Sequence, residues 1–85
     1  MLGVFKNQGT IPSDSNVLEL TLGIWVKGSA STNLTGLPEG EENTPGFVLS
    51  FRENAQRICI VFITATHVYY YLQLGSSAST WKTIY

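Results

Sequence analysis

Cys59 and His67 are the chain's only thiol and only imidazole, and a thiolate activated by a neighbouring imidazole is the one nucleophilic pair the sequence offers. Such a pair works only within hydrogen-bond reach. The apolar alternation around Cys59 reads as a strand over residues 56–64 and a short turn at 64–67, which sets His67 beside the turn. Cys59 then lies five residues down its strand, about 17 Å away at about 3.4 Å per residue. The two do not meet. Cys59, flanked by isoleucines, reads as a small core residue, and His67 as a solvent-facing turn residue.

Carboxylates gather only at Glu39, Glu41 and Glu42, where they form either a weak cation site or a solvated stretch. A calcium loop recruits Asp and Asn at fixed offsets in a tight turn, so the solvated stretch is favoured. Hydrolysis of a polysaccharide needs two carboxylates held on rigid elements, and Glu19 and Glu53 are the only strand-associated candidates. The sequence contains no phosphate-cradling glycine loop, zinc-ligand spacing or serine elbow. The expectation is a non-enzymatic protein with no metal and no cofactor.

What remains is a set of rings among neutral polar groups: Trp25, Tyr69, Tyr71, Trp81 and Tyr85, with Asn33, Thr35 and Asn43 in the longest polar stretch. Sugar faces stack on flat rings, and sugar hydroxyls need paired donors and acceptors. A carbohydrate surface made of Tyr69, Tyr71, Trp25, Asn33, Thr35 and Asn43 is therefore one reading. Cross-strand packing of the same rings is the other.

The elements that must position these residues are strands. Residues 46–52 alternate cleanly, with Phe47, Leu49 and Phe51 on one face and Val48, Ser50 and Arg52 on the other. Residues 56–64 are apolar on both faces, Ile58, Ile60 and Phe62 opposite Cys59, Val61 and Ile63. Such a strand is usually covered on both sides. Beyond a second turn, Val68, Tyr70, Leu72 and Leu74 face one way, taken as inward, and Tyr69, Tyr71 and Gln73 the other. This predicts an antiparallel three-stranded meander. Residues 17–22 and 23–28 are strand-like runs, with Gly23 marking a bend or bulge. Residues 29–45 form a long polar loop broken by Gly and Pro, and residues 81–85 can close the sheet.

With 85 residues the chain is one domain, and a chain of this size buries only about 60% of the surface its unfolded form exposes. One cysteine forms no internal disulfide, so self-association is the remaining inexpensive staple. The doubly apolar strand is its expected seat, with Ile58, Ile60 and Phe62 toward a partner. A covering loop or a second sheet is the alternative. The net charge of −1 and scattered Lys and Arg residues are a poor footprint for nucleic acid or an anionic membrane. The longest apolar run, residues 58–63, is far short of a bilayer-spanning helix. The first residues lack the basic-then-apolar order of a signal peptide, which points to cytoplasmic synthesis or to an excised piece of a longer chain.

The order of residues adds a further reading. Gly23 with Trp25, Asn33 with Pro38, Gly46, Gln56, Val68 to Tyr71 and Trp81 follow one another as GIWV, NLTGLP, GFVLSF, QRICIVF and HVYYYLQLGSSASTWKTIY. This succession resembles the pyocin knob family, β-domains of bacteriophage tail fibres and phage-like bacteriocins. The sequence departs from that pattern at Tyr71 and Leu72, where the family often carries Arg, and at Ala78, where it often carries a second Trp. Leu34 to Leu37 also stretch the Asn-to-Pro segment.

The resemblance implies an all-β knob, a small antiparallel sheet or sandwich built around the meander and assembled as a homotrimer. It places residues 1–12 as a lead-in or shaft junction and 13–85 as the knob. It further implies a virion component made in the host cytoplasm. Its work is to bind a host cell-surface polysaccharide or to support trimerisation and attachment to the shaft or another virion protein.

Overall fold

The computed structural model describes residues 5–85, which form one six-stranded sheet with almost no helix. The strands lie side by side in chain order: β1 Asn7–Thr10, β2 Gly23–Lys27, β3 Gly46–Asn54, β4 Arg57–Ile63, β5 Val68–Leu74 and β6 Lys82–Thr83. The expected meander is β3 to β5, and residues 81–85 supply β6. The sheet is not purely antiparallel, nor is it a sandwich. β1 runs parallel to β2, while every later pair is antiparallel.

A parallel pair requires a crossover of about a dozen residues, and residues 11–22 provide it. Here the strand-like reading of 17–22 gives way to a short 3-10 helix, Val17–Glu19. The Asn16 side chain accepts the Leu18 amide hydrogen at 3.0 Å, a local bond that competes with ladder pairing and starts a helical turn instead. The segment read as a lead-in thus carries β1 in residues 7–10 and a fully buried core residue, Ile11; residues 1–4 of it lie outside the described residues.

Pairing sorts the side chains into two faces. On one, Val48 lies opposite Phe62 and Phe62 opposite Tyr69; Ser50 lies opposite Ile60 and Ile60 opposite Tyr71. This face is packed. Val48, Ile58, Ile60, Phe62 and Tyr71 join Ile11, Val17, Leu20 and Leu34 from the crossover and the long loop in a single core. Those two irregular segments therefore act as the second layer of the domain.

Polar side chains fasten that layer to the sheet and its two segments to each other. Ser50 donates to the Leu20 carbonyl at 2.8 Å, Ser31 to the Ile11 carbonyl at 2.7 Å, and the Trp81 indole to the Gly36 carbonyl at 2.7 Å. Arg52 donates to the Leu18 carbonyl. Each bond satisfies a loop carbonyl that no ladder could reach.

This arrangement corrects the expected interface. Ile58, Ile60 and Phe62 are buried inside their own protomer, at 5%, 0% and 0% exposure, and none is free to meet a partner. It also reverses the expected orientation of β5. Tyr71 points into the core, whereas Leu72 and Leu74 are exposed at 42% and 72%. The cause is the pairing with β4, which puts Tyr69 and Tyr71 on the same face as Phe62 and Ile60.

Candidate functional site

The expected carbohydrate surface is taken apart by the fold. Tyr71 is a core residue whose ring packs against Trp81 at a centroid distance of 5.8 Å and whose hydroxyl accepts the Ser79 amide hydrogen at 3.1 Å. Tyr69 is half-buried on the same face, stacked between Phe62 and His67, with its hydroxyl donating to Glu41. Trp25 lies beside Val48 on the packed face and donates its indole hydrogen to the Thr21 carbonyl at 2.9 Å. All three rings serve packing.

Of the loop residues, Asn33 and Asn43 are brought together and Thr35 is not. Asn33, Asn43, Thr32, Ser29, Ser31, Gly28, Lys27 and Glu42 line a small polar cleft of about 140 Å³. Asn33 adopts a left-handed backbone (φ 57°) that Asn tolerates better than most residues, and its amide donates to Asp14 at 2.7 Å. The Thr35 backbone is spent holding the loop to the crossover, donating to the Ser15 carbonyl and accepting from the Val17 amide.

Lys27 was missed in the sequence, although its position was legible. It ends β2 on the packed face, where an ammonium needs acceptors and counter-charge. The nearby acidic stretch supplies them. Lys27 Nζ donates to the Thr44 carbonyl at 2.7 Å; burial lowers its pKa, and Glu41 and Glu42 oppose that shift. Hydrogen bonds from Thr44 and Tyr69 hold the Glu41 carboxyl below its ordinary value, and the bond to Glu41 raises the Tyr69 phenol. Glu41 thus ties the loop to β5, while Glu39 and Glu42 are exposed to solvent, as the solvated-stretch reading expects. Among the described residues no three His, Cys, Asp or Glu side chains gather as a metal site.

The other candidate nucleophiles and carboxylates are dispersed. His67 is exposed in the turn between β4 and β5, bonded to Thr66. Cys59 sits within β4 on the opposite face from the core, its thiol raised by burial and so kept protonated. Glu19 lies on the 3-10 helix, and Glu53 near the end of β3 faces Arg57 at 3.6 Å.

The largest feature is the sheet's second face. Three rows of side chains cross it: Val26, Phe47, Ile63 and Val68; Ile24, Leu49, Val61 and Tyr70; then Phe51, Cys59 and Leu72. Phe47 and Phe51 are exposed at 52% and 43%, and Phe5 stacks on Phe51 at 5.0 Å with planes 7° apart. Charge borders these rows, at Lys82 opposite Tyr70 on β6 and at Arg57 opposite Leu74, paired with Glu53. Surface of this kind on a soluble domain marks a contact area.

The fold and its surfaces together define a class: a single-sheet all-β domain with one face packed under its own loops and the other apolar and open. No protein-family model, curated protein or solved structure matches this chain. The pyocin knob resemblance accordingly rests on the order of residues in the sequence.

Proposed function

We propose that this chain is a non-enzymatic knob of a phage-type tail fibre or appendage, working as an assembly bead that forms a homotrimer and joins shaft or virion proteins. The observation that carries the reading is the apolar face on β2 to β5, bordered by the Glu53–Arg57 ion pair, which a monomer in water would leave exposed. Burying such surface is the main driving force of association. The withdrawal of Tyr71, Tyr69 and Trp25 into packing supports a bead over a ring-stacking sugar reader. Sedimentation velocity over a range of micromolar concentrations tests it: trimers or other homo-oligomers are expected, and a folded monomer throughout would sink the idea.

A second reading, attachment to a host cell-surface glycan, is favoured by the polar cleft that joins Asn33 and Asn43. Its amide and hydroxyl groups, set beside Lys27 and Glu42, offer donors and acceptors to a sugar residue, and single sites would be weak, in the millimolar to micromolar range of about 4 to 8 kcal/mol. Multivalent presentation on a fibre would multiply the avidity. A glycan array probed with the wild type and with Asn43→Ala decides it. Signal lost in the variant supports the cleft, and equal signal removes it.

A further inference from the structure

We infer that the cleft between the end of β2 and the long loop is a subsite for one neutral sugar residue, held by one hydroxyl at Lys27 and a neighbouring hydroxyl at Glu42. The inference rests on the glycan reading and adds the class of sugar and the two residues that select it.

Three observations carry it. The first is a buried cation with donors to spare. Lys27 lines the cleft and is 3% exposed; an ammonium carries three donors, and the Thr44 carbonyl at 2.7 Å is its only hydrogen-bond partner among the described residues. Buried donors call for acceptors. The second is a set of open groups on the facing walls. Asn33 spends its amide hydrogen on Asp14, which leaves its side-chain oxygen free, and Glu42 accepts only the Gly40 amide hydrogen, at 3.2 Å. A hydroxyl both donates and accepts, so two on adjacent carbons can satisfy Lys27 and Glu42 together.

The third is charge. Glu41 and Glu42 both bear electrostatically on Lys27, two carboxylates against one ammonium. The carboxylate of an acidic sugar is repelled there, a cation meets Lys27, and a hydroxyl suffers neither. Size and lining narrow the occupant further. A volume of about 140 Å³ is below the roughly 300–1,000 Å³ of sites that enclose a drug-sized ligand, which limits the occupant to one residue of a longer chain. Among the described residues no aromatic ring lines the cleft, so recognition falls to hydrogen bonds rather than stacking.

The experiment is a titration followed by amide NMR shifts, with the methyl glycosides of glucose, galactose and mannose as neutral probes and glucuronate, glycine and inorganic phosphate as charged ones. On the wild type, at least one neutral glycoside is expected to shift residues 28–33 and 42–43 with a millimolar dissociation constant. The charged probes should leave them in place. Glu42→Gln, at an exposed position, should weaken the neutral glycoside on the order of tenfold, because a hydrogen bond to a charged group is lost, and should let glucuronate in. Lys27→Met keeps the buried stem and removes the donors, so it should abolish the shifts.

Glucuronate, glycine or phosphate shifting the wild-type cleft as strongly as any glycoside overturns the assignment to neutral sugars. Glycoside shifts confined to other residues overturn the cleft and leave the glycan reading intact. No response to any of the three glycosides overturns the inference, and a blank glycan array beside it removes the glycan reading as well. If Lys27→Met unfolds, the exchange of preference in Glu42→Gln decides alone: glucuronate still excluded overturns the role given to charge.

Discussion

The Tyr71 hydroxyl accepts the Ser79 amide while its ring packs against Trp81, leaving it 5% exposed. Tyr71→Ala should therefore cost about 3–5 kcal/mol, as large aromatic truncations in cores do, and urea unfolding measures it directly. A loss of glycan binding with stability unchanged would restore the ring to a surface role. Tyr69 and Glu41 make a second residue-scale test. The Glu41 carboxyl is depressed in the folded state by hydrogen bonds from Thr44 and then Tyr69, so the unfolded chain takes up the proton first. Its contribution is intact above the ordinary carboxylate range and lost as pH falls through the folded value. The Tyr69 phenol is raised, chiefly by its hydrogen bond to Glu41. That contribution is complete below the ordinary phenol value of about 10 and lost as pH rises through the raised one. Tyr69→Phe should thus flatten the melting temperature against pH at the alkaline end and weaken its fall at the acid end.

Among the elements, β1 is attached through a close backbone approach at Gly23. Gly23 has φ 144°, and a Cβ there would stand 2.5 Å from the Lys6 carbonyl oxygen, which accepts the Ile24 amide hydrogen at 2.9 Å. Gly23→Ala combines an unfavourable backbone conformation with a backbone clash, and should destabilise by more than about 1 kcal/mol. Hydrogen exchange should locate the damage in residues 7–10 and 24–26 first, with β4 and β5 still protected. Uniform exchange across the sheet would mean that β1 is not a separable edge. The covering layer is held differently, by side chains reaching loop carbonyls. Ser50→Ala leaves the buried Leu20 carbonyl without its partner, a loss of about 1–3 kcal/mol, readable by the same urea titration.

At the scale of the whole molecule, the two faces of β4 should answer mutation in opposite ways. Ile60 is fully buried in the protomer, so Ile60→Asp should unfold it, a buried unpaired carboxylate costing several kcal/mol. Circular dichroism at low concentration, where any assembly has dissociated, isolates that effect. Because association stabilises only the folded form, the wild-type melting temperature should climb as protein concentration rises. A melting temperature that is flat with concentration would place the stability of this small domain in its own core and loops.

The sequence by itself determined the β class, the meander of β3 to β5 to within one or two residues, the closing strand and the exposed turn at His67. All of these follow from a period-two pattern and from turn residues, which are local signals. That pattern tells which side chains share a face; it does not tell which face turns inward when both are apolar, as they are in β4. Only the tertiary structure decided this. The bonds that seat the covering layer join Ser50 to Leu20, Arg52 to Leu18 and Trp81 to Gly36, across 30, 34 and 45 residues of chain. The parallel strand β1 was equally hidden, because NQGT is short and polar and gains its place from a ladder with β2 rather than from its own preference. Once the crossover and the long loop settled on the Ile60 side, Tyr71 became core and Leu72 became surface, which moved the candidate interface to the other side of the sheet.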